Sequence, residues 1–366
     1  MKKIQKSVFN IFLFVLTLFC SCTSEFNYAK KEGNYIIFSG RDRVSSGFHL
    51  YISDLNDGYP RKISWNPFND KEPVIDNNGK VYFLSDREGG QKLFSFDLNW
   101  VGGTIDWQGD WIWESYPEAE NAKLLFNDNQ WYGFHNISPT GLHLVSMQYP
   151  LGQYDIVIFD KNGLNKKILT GQKFDDYFPQ FSKDGLVIFY QKKVSNTNME
   201  IYSVDIDGSF EKNLTNHNSN DYISLGPSIS PDDKRIVFTS DRSGSKDIFI
   251  MNIDGTKEKN LTNSEFNDFN PVFSPVDEKI AYVSDRSGND DIYLYDIKNN
   301  NLKKISNSDS NESLPKFSPD GAHIAYISDK ESILKVYCYN IKTSKITNIV
   351  KSPHLSGASF DFYQVK

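Results

Sequence analysis

The sequence predicts an all-β protein: a single seven-bladed β-propeller of four-stranded antiparallel blades, with six or eight blades as the alternatives. Three observations predict it. One segment returns in register, as SPDDKRIVFTSDRSGSKDIFIMNIDGTKEKNLTN from Ser230, SPVDEKIAYVSDRSGNDDIYLYDIKNNNLKKISN from Ser274 and SPDGAHIAYISDKESILKVYCYNIKTSKITNIV from Ser318. Each copy divides into four short strands. An apolar run ends near Ser-Pro, a second strand such as IAYVS reaches an S-D-R turn, a third such as DIYLYDI alternates, and a fourth such as KKISN follows a D-G or N-N turn. Composition agrees, since 14% aromatic residues, mostly Phe and Tyr, accompany abundant Asn, Asp and Gly, pairing strand formers with turn formers.

Weaker copies carry the pattern toward the N-terminus. SKDGLVIFYQKK with MEIYSVDIDGSFEKNLTN starts at Ser182, SPTGLHLVSMQY with YDIVIFDKNGLNKKILT at Ser138, NNGKVYFLSDREGGQKLFSFDL at Asn77, and YIIFSGRDR with FHLYISDLNDGYPRKIS at Tyr35. Seven units result. The first opens at its second strand, and the chain ends in GASFDFYQV, Gly357 to Val365, an orphan first strand. Pairing of this C-terminal strand with the first blade closes the ring and removes an exposed sheet edge. The propeller is therefore expected over residues 35–366.

Residues 1–21 read as a lipoprotein signal peptide and 22–34 as a lipidated linker. Lys2, Lys3 and Lys6 precede an apolar run, Ile11 to Phe19, too short for the ~20 residues of a membrane span. Ser21-Cys22 resembles a lipobox, which implies Cys22 as the lipidated residue; Cys20 after Phe19 and a plain secretory signal are the alternatives. Thr23 after Cys22 is similar to known sorting patterns for the outer membrane, so an outer-membrane lipoprotein of the cell envelope is expected. Removing three lysines and no acid moves the formal charge from −7 to −10, a poor balance for a nucleic-acid partner, which needs Lys and Arg in excess. Past Cys22 the sequence holds one cysteine, Cys338, so the fold rests on packing rather than a disulfide. Cys338 aligns with Ile250 and Leu294 on the apolar face of the third strand, as a small hydrophobe would.

The S-P-D-G, S-D-R-x-G and D-I-Y pattern resembles the propeller repeats of the TolB family, a periplasmic branch of the WD-like propellers. The likeness runs from Tyr35 onward. It implies the fold and transfers no role, because TolB carries an α/β domain before a six-bladed propeller and fold does not imply function.

Two places are candidates for function. Three residues before the proline that opens a blade stand Asp70, Asp176, Asp268 and Glu312, with Asp221 in the corresponding loop. In a closed ring these acids circle one mouth of the channel. They form either a rim for a basic peptide, a cationic ligand or Ca²⁺, or partners within each blade for Arg87, Arg242 or Arg286 of the S-D-R turns; repetition favours the second. The other place is an insertion over residues 99–121, between the third and fourth strands of the second blade and so opposite the acidic loops. It holds four of the six tryptophans, and Trp107, Trp111 and Trp113 are candidates for protein contact or for stacking on sugar rings. Its run DWQGDWIWESYPE suggests a short hairpin.

No catalytic, cofactor or metal site is read. G-x-S-x-G, H-E-x-x-H, a Gly-rich phosphate loop after a strand and C-x-x-C do not occur, and the six histidines are scattered. Asp205 to Gly208 is a hairpin turn without the distal Glu of a calcium loop. The expected function is a non-catalytic scaffold, held to the membrane by its lipid, that binds an envelope protein or a glycan. The alternative is a carbohydrate-active enzyme, a lyase or glycosidase, with its site at the central channel; similar seven-bladed propellers include oligogalacturonate lyases with a His-rich metal centre.

Overall fold

The computed structural model describes residues 33–41, 47–55, 60–64, 66–98, 103–105, 111–113, 122–128, 130–149, 152–171, 173–196, 198–217, 221–222, 227–306, 308–330, 333–351 and 356–365. Cys22 and Trp107 lie outside them. The described residues fall in two units, the propeller within 32–98 and 118–366, and a hairpin of the insertion within 99–117. No helix occurs among them.

The propeller has seven antiparallel sheets in chain order. In the second blade the strands are Asp70–Ile75, Lys80–Ser85, Lys92–Asp97 and Lys123–Leu124. The third has Trp131–Ile137, His143–Tyr149, Asp155–Asp160 and Lys167–Ile168. The fourth has Asp176–Phe181, Val187–Lys193, Met199–Asp205 and Lys212–Asn213. In the fifth the inner strand is in two pieces, Asp221–Tyr222 and Ser228–Ile229, before Arg235–Ser240, Asp247–Asn252 and Lys259–Asn260. The sixth has Asp268–Phe273, Lys279–Ser284, Asp291–Asp296 and Asn301–Lys304, and the seventh Glu312–Phe317, His323–Ser328, Lys335–Asn340 and Ile346–Asn348.

Closure follows the expected route. The C-terminal strand Ser356–Val365 is the innermost strand of the first blade, beside Gly33–Arg41, His49–Asp54 and Arg61–Lys62. Ile36 opposes Phe362 and Phe38 opposes Phe360. Asp361 holds three blades together. Its carboxylate pairs with Lys316 of the seventh blade at 2.6 Å and accepts the Ile75 N–H of the second at 3.3 Å.

Each blade is sandwiched between two others, so its middle strands are buried on both faces. Lys80–Ser85 is accordingly buried at five successive positions rather than at alternate ones. Val145, Ile156 and Ile158 of the third blade pack on Phe181, Ile188 and Tyr190 of the fourth. At the closure, Ala325, Val336 and Cys338 pack on Ile36, Phe38 and Phe362. The buried Cys338 thiol is pushed up to about 12 by desolvation. The proline of the inner strand has a local consequence. Proline lacks an N–H and breaks the ladder, and the residue before it turns left-handed: Glu72 at φ 50°, Phe178 at 52°, Asn270 at 54° and Leu314 at 55°. A bulge sits at each. Two of the displaced N–H groups find hydroxyls in the preceding blade, Glu72 on Ser359 and Asn270 on Thr239, both at 3.2 Å.

Candidate functional site

The inner-strand acids lie inside the blades. Asp70, Asp176, Asp268 and Glu312 each open their inner strand and are buried. Asp70 accepts from Arg87 at 3.0 Å, and Asp268 takes Arg286 on both oxygens, at 2.8 and 2.9 Å. The guanidinium groups lie over third-strand rings, Arg87 4.7 Å from the Phe94 centroid and Arg286 4.9 Å from Tyr293. At Asp70 and Asp268 the geometry is that of pairing within the blade. Carboxylates so enclosed reach no external cation without leaving their partners.

Two of the blades that carry an inner-strand acid lack the arginine, and their electrostatics differ. The fourth has Lys193-Val194 where Asp-Arg stands elsewhere. Its Lys192 bonds Glu211 at 2.7 Å, and Asp176 is pushed up to about 7 by burial, which the Thr170 hydroxyl and Lys192 offset only in part. The seventh has Lys330 in place of arginine. There burial pushes Glu312 up to about 6, against hydrogen bonds from Ser308 and Ser328. Asp221 pairs with Ser240 through its backbone, its side chain being outside the described residues, and Arg242 of that blade bonds Glu258.

The insertion leaves the second blade after the third strand and returns at the fourth, as read from the sequence. It contains a hairpin in which Gly103–Ile105 pairs with Trp111–Trp113, in the register Gly103 to Trp113 and Ile105 to Trp111. Trp107 lies outside the described residues.

A third place was not picked out from the sequence. In the second, sixth and seventh blades an asparagine just before the inner strand is bonded to the Asp of the S-D-R turn. Asn69 donates to Asp86 at 2.8 and 2.6 Å, Asn267 to Asp285 at 2.9 and 2.7 Å, and Asn311 to Asp329 at 2.9 and 3.2 Å. This tie staples the entry loop to the turn of the second strand. The third blade replaces both partners. Trp131 stands at the asparagine position and Tyr149 at the aspartate position, and the two face each other across the strands. Trp131 is 61% and Tyr149 42% exposed. The indole rests on Gly90 of the second blade, where a Cβ would lie 3.4 Å from its Nε1.

From Tyr149 a run of half-buried rings descends toward the inner strands. Tyr149 to Tyr154 is 5.0 Å between centroids, Tyr154 to Tyr177 5.7 Å, Tyr177 to Phe178 6.0 Å, and Phe178 to Phe134 5.4 Å. The signal was available. QYPLGQYD, Gln148 to Asp155, aligns without a gap on SDRSGNDD, Ser284 to Asp291, with Asp, Arg and Asp replaced by Tyr, Pro and Tyr.

No group of three His, Cys, Asp or Glu side chains that could hold a metal occurs among the described residues. His135 is buried, donates from Nε2 to the Tyr82 carbonyl at 3.3 Å, and is held down to about 4 by desolvation. His217 faces Glu258 at 3.5 Å, and His323 faces Asn340 at 2.9 Å.

Residues 218–360 match the family model described as the TolB beta propeller domain. An uncharacterised protein of Agrobacterium fabrum is 33% identical over 116 residues, which are 31% of this chain and 38% of that protein. Among solved structures, TolB from Acinetobacter baumannii superposes with a TM-score of 0.54 at 18% identity, over 90% of this chain and 81% of that one. A puromycin hydrolase superposes with a TM-score of 0.67 at 13% identity, over 90% of this chain and 53% of that one. At these identities the likeness is one of fold. The chain has a TolB-like propeller, as its repeats implied.

Proposed function

We propose that this TolB-like propeller is a non-catalytic binding scaffold of the cell envelope, anchored through Cys22, that holds a protein or glycan partner. The observation that carries the reading is the exposed Trp131 and Tyr149 pair. The fold has a polar tie for that position and uses it in three other blades, so the aromatic pair is not there to hold the blade. Large rings left in solvent by a chain that has a polar solution suit contact with a partner, since Trp and Tyr bring apolar area at little entropic cost. The insertion with Trp107, Trp111 and Trp113 is a second contact region within the same proposal.

The test is recovery of partners from envelope extract by the full chain. Wild type is compared with a Trp131→Ala, Tyr149→Ala variant and with a Trp107→Ala, Trp111→Ala, Trp113→Ala variant. Loss of a partner from either variant is the expected result. Identical partner sets in all three remove both regions from the proposal. Anchoring is tested separately: labelled fatty acid enters the wild type and not Cys22→Ala, and equal labelling of both refutes Cys22 as the lipidated residue.

A further inference from the structure

We infer that the propeller face formed by the turns between first and second strands and between third and fourth strands rests on the membrane, with Leu142, Leu164, Leu186 and Phe210 entering the lipid at the acyl boundary. The inference rests on anchoring at Cys22 and adds a second contact with the same bilayer, made by the fold itself.

The turns supply the apolar field. Leu142 and Leu186 lie between the first and second strands of the third and fourth blades, and Leu164 and Phe210 between their third and fourth strands. Leu142 is 55% exposed, Leu186 56%, Leu164 62% and Phe210 84%. Within each blade the two turns are bonded, the Lys161 N–H to the Leu142 carbonyl and the Ile206 N–H to the Leu186 carbonyl, both at 3.0 Å. The two blades also meet here, since a Cβ on Gly185 would lie 3.6 Å from Thr140 and one on Gly208 3.6 Å from Lys167. Sister turns are polar or small at these positions. The fifth blade has Lys234, Thr256 and Lys257, the sixth Glu278 and the seventh Ala322. Phe210 departs furthest. It is left-handed at φ 54°, a conformation that Asn165 holds in the third blade and Lys257 in the fifth, both at 55°. A bulky side chain is disfavoured there, so neither backbone preference nor packing selects an exposed phenylalanine.

The tether names the occupant. Residues 23–32 join Cys22 to the first blade, at most ~35 Å of chain. That blade begins with Gly33–Arg41, which is a second strand, so it starts on the face of these turns and ends on the face of the S-D-R turns. Asn34 fixes the point. Its amide donates to Asp320, in the first turn of the seventh blade, at 2.8 Å, and its carbonyl accepts the Leu55 N–H at 3.3 Å. A lipid on Cys22 therefore draws this face toward the bilayer rather than the opposite one. The polar neighbours agree. Asp160 and Asp184 accept the Leu164 and Leu186 N–H groups of their own turns, both at 2.9 Å. Lys212 Nζ reaches the Asp254 carbonyl at 2.8 Å, and Lys167 Nζ the Asp207 carbonyl. Lysines held by carbonyls stay charged and suit headgroup phosphates, while their stems lie along apolar surface. Apolar tips set among charged side chains are the pattern of proteins that lie in a membrane interface.

The test uses the full mature chain, with its lipid, in vesicles of phosphatidylethanolamine and phosphatidylglycerol that carry brominated acyl chains. A fluorophore is attached at Asn162→Cys, beside Leu164, or at Glu88→Cys on the opposite face; the buried Cys338 stays unlabelled. Interfacial insertion is ~5–10 Å deep, so bromine is expected to quench the probe at position 162 and not at 88. Leu142→Ala, Leu164→Thr, Leu186→Ala and Phe210→Asn together install residues of the sister turns and add no charge. In that variant the quenching at 162 is lost, with a melting temperature equal to wild type or higher. Equal quenching at both positions, quenching at 88 alone, no quenching at either, or full quenching at 162 in the folded variant overturns the inference. Labelled fatty acid at Cys22 reports the anchor separately: where it enters and position 162 is unquenched, anchoring stands and the docking of this face falls.

Discussion

The Asp268–Arg286 pair gives the sharpest test of how the repeat is held. Arg286→Met keeps much of the side-chain bulk and removes the cation. Asp268 would then be a carboxylate fully buried without its guanidinium, the situation Asp176 already occupies two blades earlier. Asp176 stands at about 7, roughly 3 units above an ordinary Asp at ~3.9, and at ~1.4 kcal/mol per unit that difference is ~4 kcal/mol. Asp268 is itself raised by burial even with Arg286 beside it, so the added loss is smaller, ~2–3 kcal/mol. The lost stacking over Tyr293 adds ~1 kcal/mol. The expected loss is thus ~3–4 kcal/mol at ~pH 8, within the range for breaking one side of a buried pair.

The sign of its pH dependence follows from linkage. A carboxyl that binds its proton more tightly folded than unfolded stabilises the fold at low pH, and that contribution fades as pH climbs from the unfolded to the folded value. In the variant the loss therefore shrinks toward ~1 kcal/mol at ~pH 5, and Asp268→Asn added to Arg286→Met recovers much of it at ~pH 8. Urea unfolding at both pH values measures this. A loss under ~1 kcal/mol at ~pH 8, or the same loss at both, refutes the argument that the arginine neutralises an enclosed acid.

Other outcomes follow from the same geometry. Asp176→Asn should raise the urea midpoint at ~pH 8 by an amount worth ~2–4 kcal/mol and at ~pH 5 by roughly a third of that, because the native carboxyl is protonated there while the unfolded one is still mostly ionised; an equal effect at both pH values refutes the raised value. Phe362→Ala, at the closing strand between the seventh and first blades, should cost ~3–5 kcal/mol in urea unfolding. Removal of residues 356–366 exposes the Gly33–Arg41 edge, and size-exclusion chromatography should then find aggregates rather than a stable monomer. Cys338 should react with a thiol reagent only once the chain is unfolded, since its thiol is buried and pushed up to about 12; fast labelling of the native protein contradicts the packing at the closure.

Much of the fold was legible because the repeat states its own rules. Ser-Pro, S-D-R and D-I-Y recur at fixed spacing, and each occurrence marks the same strand end. The closing strand was legible as a first strand without partners, from Gly357 to Val365. Strand burial was less so. Alternation in DIYLYDI suggested one buried face, whereas stacking between two blades buries Asp291 to Leu294 in succession. The left-handed residues before the inner prolines were also hidden, because Glu72, Phe178, Asn270 and Leu314 share no side-chain chemistry; only the proline after them is common. At the acids, the sequence located every position and offered two meanings. Choosing between them needed the third dimension, where Arg87 and Arg286 reach the acids of their own blades.

The same logic locates function in a repeat protein more securely than residue type does. An acid recurs in five blades, and at Asp70 and Asp268 it pairs with its own blade's arginine, whereas Trp131 stands at its position once. Trp131 and Tyr149 matter here because both members of a structural pair changed together to large rings that leave much of their surface in water, whereas the fourth blade, which also lacks the tie, has the polar Asp175 and Lys193 there. Had only one changed, a lost hydrogen bond of ~1 kcal/mol would be an adequate account. Loss of the whole tie, with Asp290's counterpart Tyr154 extending the rings toward the inner strands, concentrates apolar surface where three sister blades place a polar tie. Sister blades supply the reference state for that comparison, and installing their Asn and Asp at positions 131 and 149 returns the blade to it.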